Sequence, residues 1–113
     1  MVTLVKQGSI IHISFDPVVG SEQSGHRPAV VVSNNFLISK TNIIFICPIT
    51  KGQGKTALNV LLDGRTKTQG AILCAHIRSI DIKKRPYTII EQLPADKLDE
   101  VLNIVISTIS KSE

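Results

Sequence analysis

Tryptophan is absent from this chain of 113 residues, and only Phe15, Phe36, Phe45 and Tyr87 carry aromatic rings. A plain single-strand nucleic-acid binder uses several exposed stacking rings, so that class is disfavoured. Most of these rings lie in apolar runs, where core packing is the expectation. Cysteine is equally scarce: Cys47 and Cys74 sit in apolar, strand-like runs. They read as reduced core thiols of a cytoplasmic protein, with a bridge between them as the alternative. With the histidines at 12, 26 and 76 they lack metal-ligand spacing, so neither a metal nor a cofactor is expected. No apolar run reaches the roughly 20 residues that span a bilayer. The N-terminal residues show no basic segment followed by an apolar one and a cleavage site, so no secretory signal is expected. A phosphate cradle of the Gly-x-x-x-x-Gly-Lys-Ser/Thr kind is missing too, since Gly52-Gln53-Gly54-Lys55-Thr56 falls short of it.

What remains is a length suited to one domain over residues 1–113, with 42% hydrophobic residues. Residues 10–15 alternate Ile11, Ile13 and Phe15 with His12 and Ser14, as a half-buried strand does. Residues 29–32 are an unbroken apolar run, as in a strand covered on both faces. Further strands are expected at 43–49, 57–62, 71–80 (the longest) and 87–91, with a short helical turn at 36–40. Pro48 argues for an edge or strand terminus, because proline cannot donate to a ladder. From Leu98 to Ile109 the period becomes helical, with Pro94 suited to the first turn and Asp96 near the positive end of the dipole. Five or six short strands and one terminal helix predict a mainly β fold, a small and strongly bent antiparallel barrel. Acidic residues are rare over 1–90, which carry eleven Lys/Arg against four Asp/Glu, whereas 91–113 carry two against five. A basic body with an acidic tail suits a polyanionic ligand, and surface solvation is the plainer reading of the same charges.

Between the first two strands lies Gly20-Ser21-Glu22-Gln23-Ser24-Gly25-His26-Arg27-Pro28, dense in polar groups. Pro28 pushes Arg27 toward an extended conformation at the start of the second strand. Together with Phe15-Asp16-Pro17 before it and Ala29-Val30-Val31 after it, this segment resembles the signature of the MazF/PemK toxin family. Cys47-Pro48-Ile49-Thr50 and Ala75-His76-Ile77-Arg78-Ser79-Ile80-Asp81 extend the likeness, in order, over nearly the whole chain. The resemblance implies an SH3-like antiparallel β-barrel with a C-terminal α-helix, forming a homodimer. It also implies a metal-independent endoribonuclease that cleaves single-stranded RNA at short sequences and is neutralised by an antitoxin. Charge complementarity predicts that this antitoxin is acidic with a foldable tail, and the resemblance implies that it is MazE-like.

Cleavage through the 2′-hydroxyl needs a proton acceptor, a counter-charge for the phosphate and a donor for the departing 5′ oxygen. The fixed fork of an arginine suits phosphate. By resemblance Arg27 is the catalytic arginine, as phosphate stabiliser and candidate proton donor, and Thr50 hydrogen-bonds the scissile phosphate. The plainer readings are an ion pair of Arg27 with Glu22 and a strand-end hydroxyl for Thr50. Glu22, the only acid within the loop, is the natural general base or else orients Arg27. His26 is a substrate contact or a structural residue, while Ser21 and Gln23 read the RNA or cap their own loop. His76 stands where the family commonly has glutamine, and histidine can still stack on or bond a base. Arg78, two residues on, is expected on the same side as a backbone contact. Lys51, Lys55, Arg65 and Lys67 would supply salt-dependent binding. A non-enzymatic toxin resembling the CcdB gyrase poisons, acting through its apolar C-terminal helix, is the alternative, and a passive RNA-binding barrel ranks last.

Overall fold

The computed structural model describes residues 4–14 and 27–113, so Phe15, Ser21, Glu22, Gln23 and His26 lie outside the described residues. In chain order the elements are β1 (Ser9–Ile13), β2 (Arg27–Val31), α1 (Asn35–Lys40), β3 (Ile43–Thr50), β4 (Asn59–Leu61), β5 (Ala71–Leu73), β6 (Arg78–Asp81), β7 (Tyr87–Gln92) and α2 (Ala95–Ile109). The strands form a seven-stranded sheet in the order β4-β5-β3-β2-β1-β7, with β6 also pairing β3. Every registered pair is antiparallel. The β-rich class with a C-terminal helix is as expected. The barrel is not closed, because no register joins β7 to β4 among the described residues.

The long strand expected over 71–80 is broken. Cys74–His76 forms a 3-10 turn between β5 and β6. The break has a partner-based cause: β5 and β6 lie along the same edge of β3. Residues 43–46 pair with β6, whereas Ile49 and Thr50 pair with β5. Pro48 falls in the gap between these two pairings, inside β3 rather than at an edge or terminus. The Phe45 carbonyl accepts from the Val32 amide of the β2 side. Backbone groups alternate along a strand, so position 48 faces the opposite side, where its missing N–H interrupts no ladder bond.

Alternation divides the apolar residues between two buried clusters. Ile10, Val30, Cys47 and Ile49 belong to one, while Ile11, Ile13, Ala29, Val31, Ile44 and Ile46 belong to the other. That division explains why 29–32 is apolar without a break. Helix α2 covers the first cluster with Val101 and Val105, flanked by Leu98, Leu102 and Ile104. An isolated helix of about 15 residues is marginal in water, so this packing is what holds it. The helix starts one residue after Pro94, whose carbonyl accepts from the Leu98 amide at 3.0 Å. At α1 the Asn34 side chain caps the Leu37 amide at 2.9 Å. Two of the rings expected in the core are at the surface: Phe36 is 71% exposed and Phe45 39%. Phe36 instead lies under the Lys40 ammonium, 5.7 Å from the ring centroid.

Candidate functional site

Arg27 opens β2 and Thr50 closes β3, and the register between the strands brings the two positions together. Ala29 pairs with Pro48, Val30 with Cys47 and Val31 with Ile46. Continuing that antiparallel register by two residues sets Arg27 across from Thr50 on the same face. Cβ atoms of directly opposed residues stand about 5 Å apart. On its other side Arg27 pairs with Ile13 of β1. Two clefts, of about 720 Å³ and about 390 Å³, meet here, and Arg27, Ile49 and Thr50 line both. The larger is completed by His12, Pro28, Lys51, Lys67, Thr68, Gln69 and Ile90. The smaller is completed by Pro48, Leu73, His76 and Arg78.

One wall of the larger cleft is the turn between β4 and β5. Its backbone is held from β7, where one oxygen of the Glu91 carboxylate accepts from the Lys67 amide at 3.1 Å. The other accepts from the Thr68 amide at 2.9 Å and the Thr68 hydroxyl at 2.8 Å. Burial works against the carboxylate charge, but these donors outweigh it and hold the Glu91 carboxyl below its usual range. Thr66, itself buried, donates to the Thr68 carbonyl at 2.7 Å. Arg65 bonds Asp63 and reaches across to Asp96 at the start of α2, with contacts of 2.8 and 3.0 Å to the latter. The Arg65 guanidinium lowers both acids, Asp63 to about 2. At the base of the turn Gly70 has φ +128° and lies so close to Thr50 that an added Cβ would sit 2.4 Å from the Thr50 carbonyl oxygen. The turn therefore abuts the backbone of a candidate site residue.

Residues 6–109 match the model of a protein family described as PemK-like, MazF-like toxins of type II toxin–antitoxin systems. The chain belongs to this family. It is similar to the endoribonuclease PemK of Escherichia coli, 34% identical over 102 residues that span 87% of this chain and 77% of that protein. The endoribonuclease toxin MazF of Escherichia coli K12 is 37% identical over 81 residues, 72% of each chain. Among solved structures, a MazE–MazF structure from Deinococcus radiodurans superposes with a TM-score of 0.85 at 28% identity, covering 97% of this chain and 100% of that one.

Of the positions expected to cleave or bind RNA, Arg27 and Thr50, singled out by the resemblance, and Lys51, Lys67, His76 and Arg78 line the two joined clefts. His76 and Arg78 arrive there by a different route from the one expected: His76 ends the 3-10 turn and Arg78 begins β6, so no shared strand carries both. Lys55 is elsewhere. Its ammonium bonds the Asn59 carbonyl and lies 3.6 Å from Glu100 of α2. Arg65 is likewise engaged by Asp63 and Asp96. Ser21, Gln23, Glu22 and His26 lie outside the described residues. Sequence reasoning passed over His12, Thr68, Gln69 and Ile90 as cleft residues. His12 carried a signal, a polar residue at an alternate position of an otherwise apolar strand. The others read as loop or strand surface. Among the described residues no group of three or more His, Cys, Asp or Glu side chains gathers that could hold a metal. No helix among the described residues is long and apolar enough to cross a membrane.

Proposed function

We propose that this chain, as one domain over residues 1–113, is the toxin of a type II toxin–antitoxin pair and acts in the cytoplasm as an endoribonuclease on single-stranded RNA. The observation that carries the reading is the convergence of Arg27 and Thr50 on a wall shared by two clefts with cationic rims. The 2′ oxygen attacks the adjacent phosphorus, the bond to the 5′ oxygen breaks, and a cyclic phosphate and a 5′-hydroxyl result. Arg27 balances the charge growing on the phosphate and protonates the departing oxygen, and Thr50 hydrogen-bonds a phosphate oxygen. Glu22 takes the 2′ proton. Ser21, Gln23 and His26 contact the substrate from the loop, and Lys51, His76 and Arg78 do so along the clefts. Cationic side chains supply the counter-charge, so the reaction needs no metal. Lys55 lines neither of the two clefts and contributes little to RNA binding.

The protein works as a homodimer and is silenced by an acidic antitoxin, a reading supported by its likeness to proteins solved as MazE–MazF assemblies. Relatives named endoribonucleases favour RNA cleavage over the gyrase-poison alternative. The test is incubation of the purified protein with a long single-stranded RNA in EDTA, with the cut ends mapped. Wild type should cut at a short recurring sequence. Arg27→Ala should be slower by on the order of a hundredfold or more, the usual cost of losing a transition-state donor. Absence of cleavage by the wild type, or equal cleavage by both, would sink the reading.

A further inference from the structure

The cleft wall formed by Lys67, Thr68 and Gln69 has no secondary structure of its own, yet its backbone is fixed from a distant strand. Two consecutive amides and one hydroxyl converge on a single carboxylate, that of Glu91, 24 and 23 residues further along the chain. Glu91 sits beside a register shift: Ile10 pairs with Glu91 while Ile11 pairs with Ile89, which leaves Ile90 as the extra residue of a bulge on β7. A bulge re-aims neighbouring side chains and recurs next to functional sites. Here Ile90 joins the cleft lining and Glu91 clasps the wall at Lys67 and Thr68. Left to itself, the polar segment Thr66-Lys67-Thr68-Gln69 of this turn would sample many conformations. With the Glu91 clasp, the internal Thr66–Thr68 bond and the tie through Arg65 to α2, it presents one shape.

We propose that Glu91 is a positioning residue: by clasping the Lys67 and Thr68 amides it holds Lys67 and Gln69 as a rigid wall beside Arg27 and Thr50, and this wall selects which nucleotide is accepted next to the scissile phosphate. The proposal rests on the nuclease reading above. Glu91 touches no substrate and acts through the turn. Gln69 supplies both a donor and an acceptor to a base edge, Ile90 an apolar surface for its face, and Lys67 a charge for the neighbouring phosphate. A wall that wanders loses discrimination first, because misplacing a contact by about 1 Å weakens what depends on its alignment.

The experiment maps cleavage ends on a long single-stranded RNA and measures kcat and KM on an oligonucleotide built around the wild-type cut site. For Glu91→Ala the expected outcome is a KM raised on the order of tenfold, kcat changed by less than about threefold, and a broadened set of cut sequences. Glu91→Gln, which keeps one acceptor, should recover part of the selectivity. Gln69→Ala leaves the clasp intact and should broaden selectivity with the melting temperature unchanged. An unaltered cleavage map and KM in Glu91→Ala overturns the proposal, as does a loss confined to kcat. Should Glu91→Ala fail to fold, wild-type maps from both Glu91→Gln and Gln69→Ala overturn it equally. Wild-type protein that does not cut RNA removes the nuclease reading and this proposal with it, whereas a cutting wild type with indifferent variants removes this proposal alone.

Discussion

Gly70 offers a perturbation whose size can be worked out before it is measured. Its φ of +128° lies where side chains are strained, and an added Cβ would stand 2.4 Å from the Thr50 carbonyl oxygen and 2.9 Å from its carbon. Both obstacles are backbone, so no rotamer change relieves them, and the Thr50–Ala71 pairing must shift instead. Backbone strain of this kind costs about 1–3 kcal/mol, and overpacking costs a further ~1–3 kcal/mol. At about 2.1 cal/mol/K per residue, the unfolding entropy of 113 residues makes each kcal/mol worth roughly 4 °C. Gly70→Ala should therefore melt about 8–25 °C below wild type. Gly52 separates the two causes, since it has φ +84° but nothing within 4 Å of an added Cβ. Its alanine variant bears strain alone and should lose about 1 kcal/mol, roughly 4 °C. Gly64, with open space and no positive φ, is the control. There alanine should change little, or stabilise by about 0.4–1 kcal/mol through the unfolded chain. Thermal unfolding followed by circular dichroism reads all three. If Gly70→Ala melts no lower than Gly52→Ala, the turn does not press on Thr50 and the argument for a shared site backbone is wrong.

The buried thiols respond to alkali. Burial pushes Cys47 up to about 12, helped by neighbouring Cys74, and pushes Cys74 up to about 11. Both stay protonated near neutrality, so a thiol reagent should label neither in the folded protein and both in guanidinium; fast labelling of the native state refutes their burial. A raised pKa stabilises the fold below the ordinary thiol value of 9.0, and that contribution is lost as the pH climbs through the folded values, so stability should decline in that range. Asp63 has the opposite sign. Its pKa is lowered from 3.8 to about 2 by Arg65, so its contribution is present above 3.8 and disappears as the pH falls toward 2. Arg65→Ala should move acid unfolding to higher pH, with the difference shrinking in high salt because these groups are exposed. Identical acid transitions in the two proteins would show that the Asp63–Arg65–Asp96 contacts are idle.

Strands β1, β2, β3 and β7 were legible because alternation and β-branched runs are local signals, and α2 because five apolar residues repeat at helical spacing. The division of 71–80 was not, since Cys74, Ala75 and His76 include no glycine or proline to mark a stop. What ends β5 is the change of partner along β3, a tertiary fact. For the same reason Pro48 pointed to an edge although it lies in the most heavily paired strand. The wall of the cleft was hidden for a further reason: Thr66-Lys67-Thr68-Gln69 reads as a solvated loop, and the acid that orders it is on another strand. Thr50 is the instructive case. On residue type alone its hydroxyl is a strand-end group, and only the family resemblance raised it. The fold supplies the physical cause. Ala29 and Val31 on β2, and Ile44 and Ile46 on β3, are all buried in one cluster. A slip of one residue would exchange either set with the residues that fill the other cluster, Val30 and Val32 on the β2 side and Cys47 and Ile49 on β3, and so mismatch both cores. The register that buries them is the one that, two residues on, sets Arg27 opposite Thr50. The juxtaposition is thus enforced by apolar burial far from solvent. A substitution that loosens Val31 or Ile46 should disturb the site without touching a polar group.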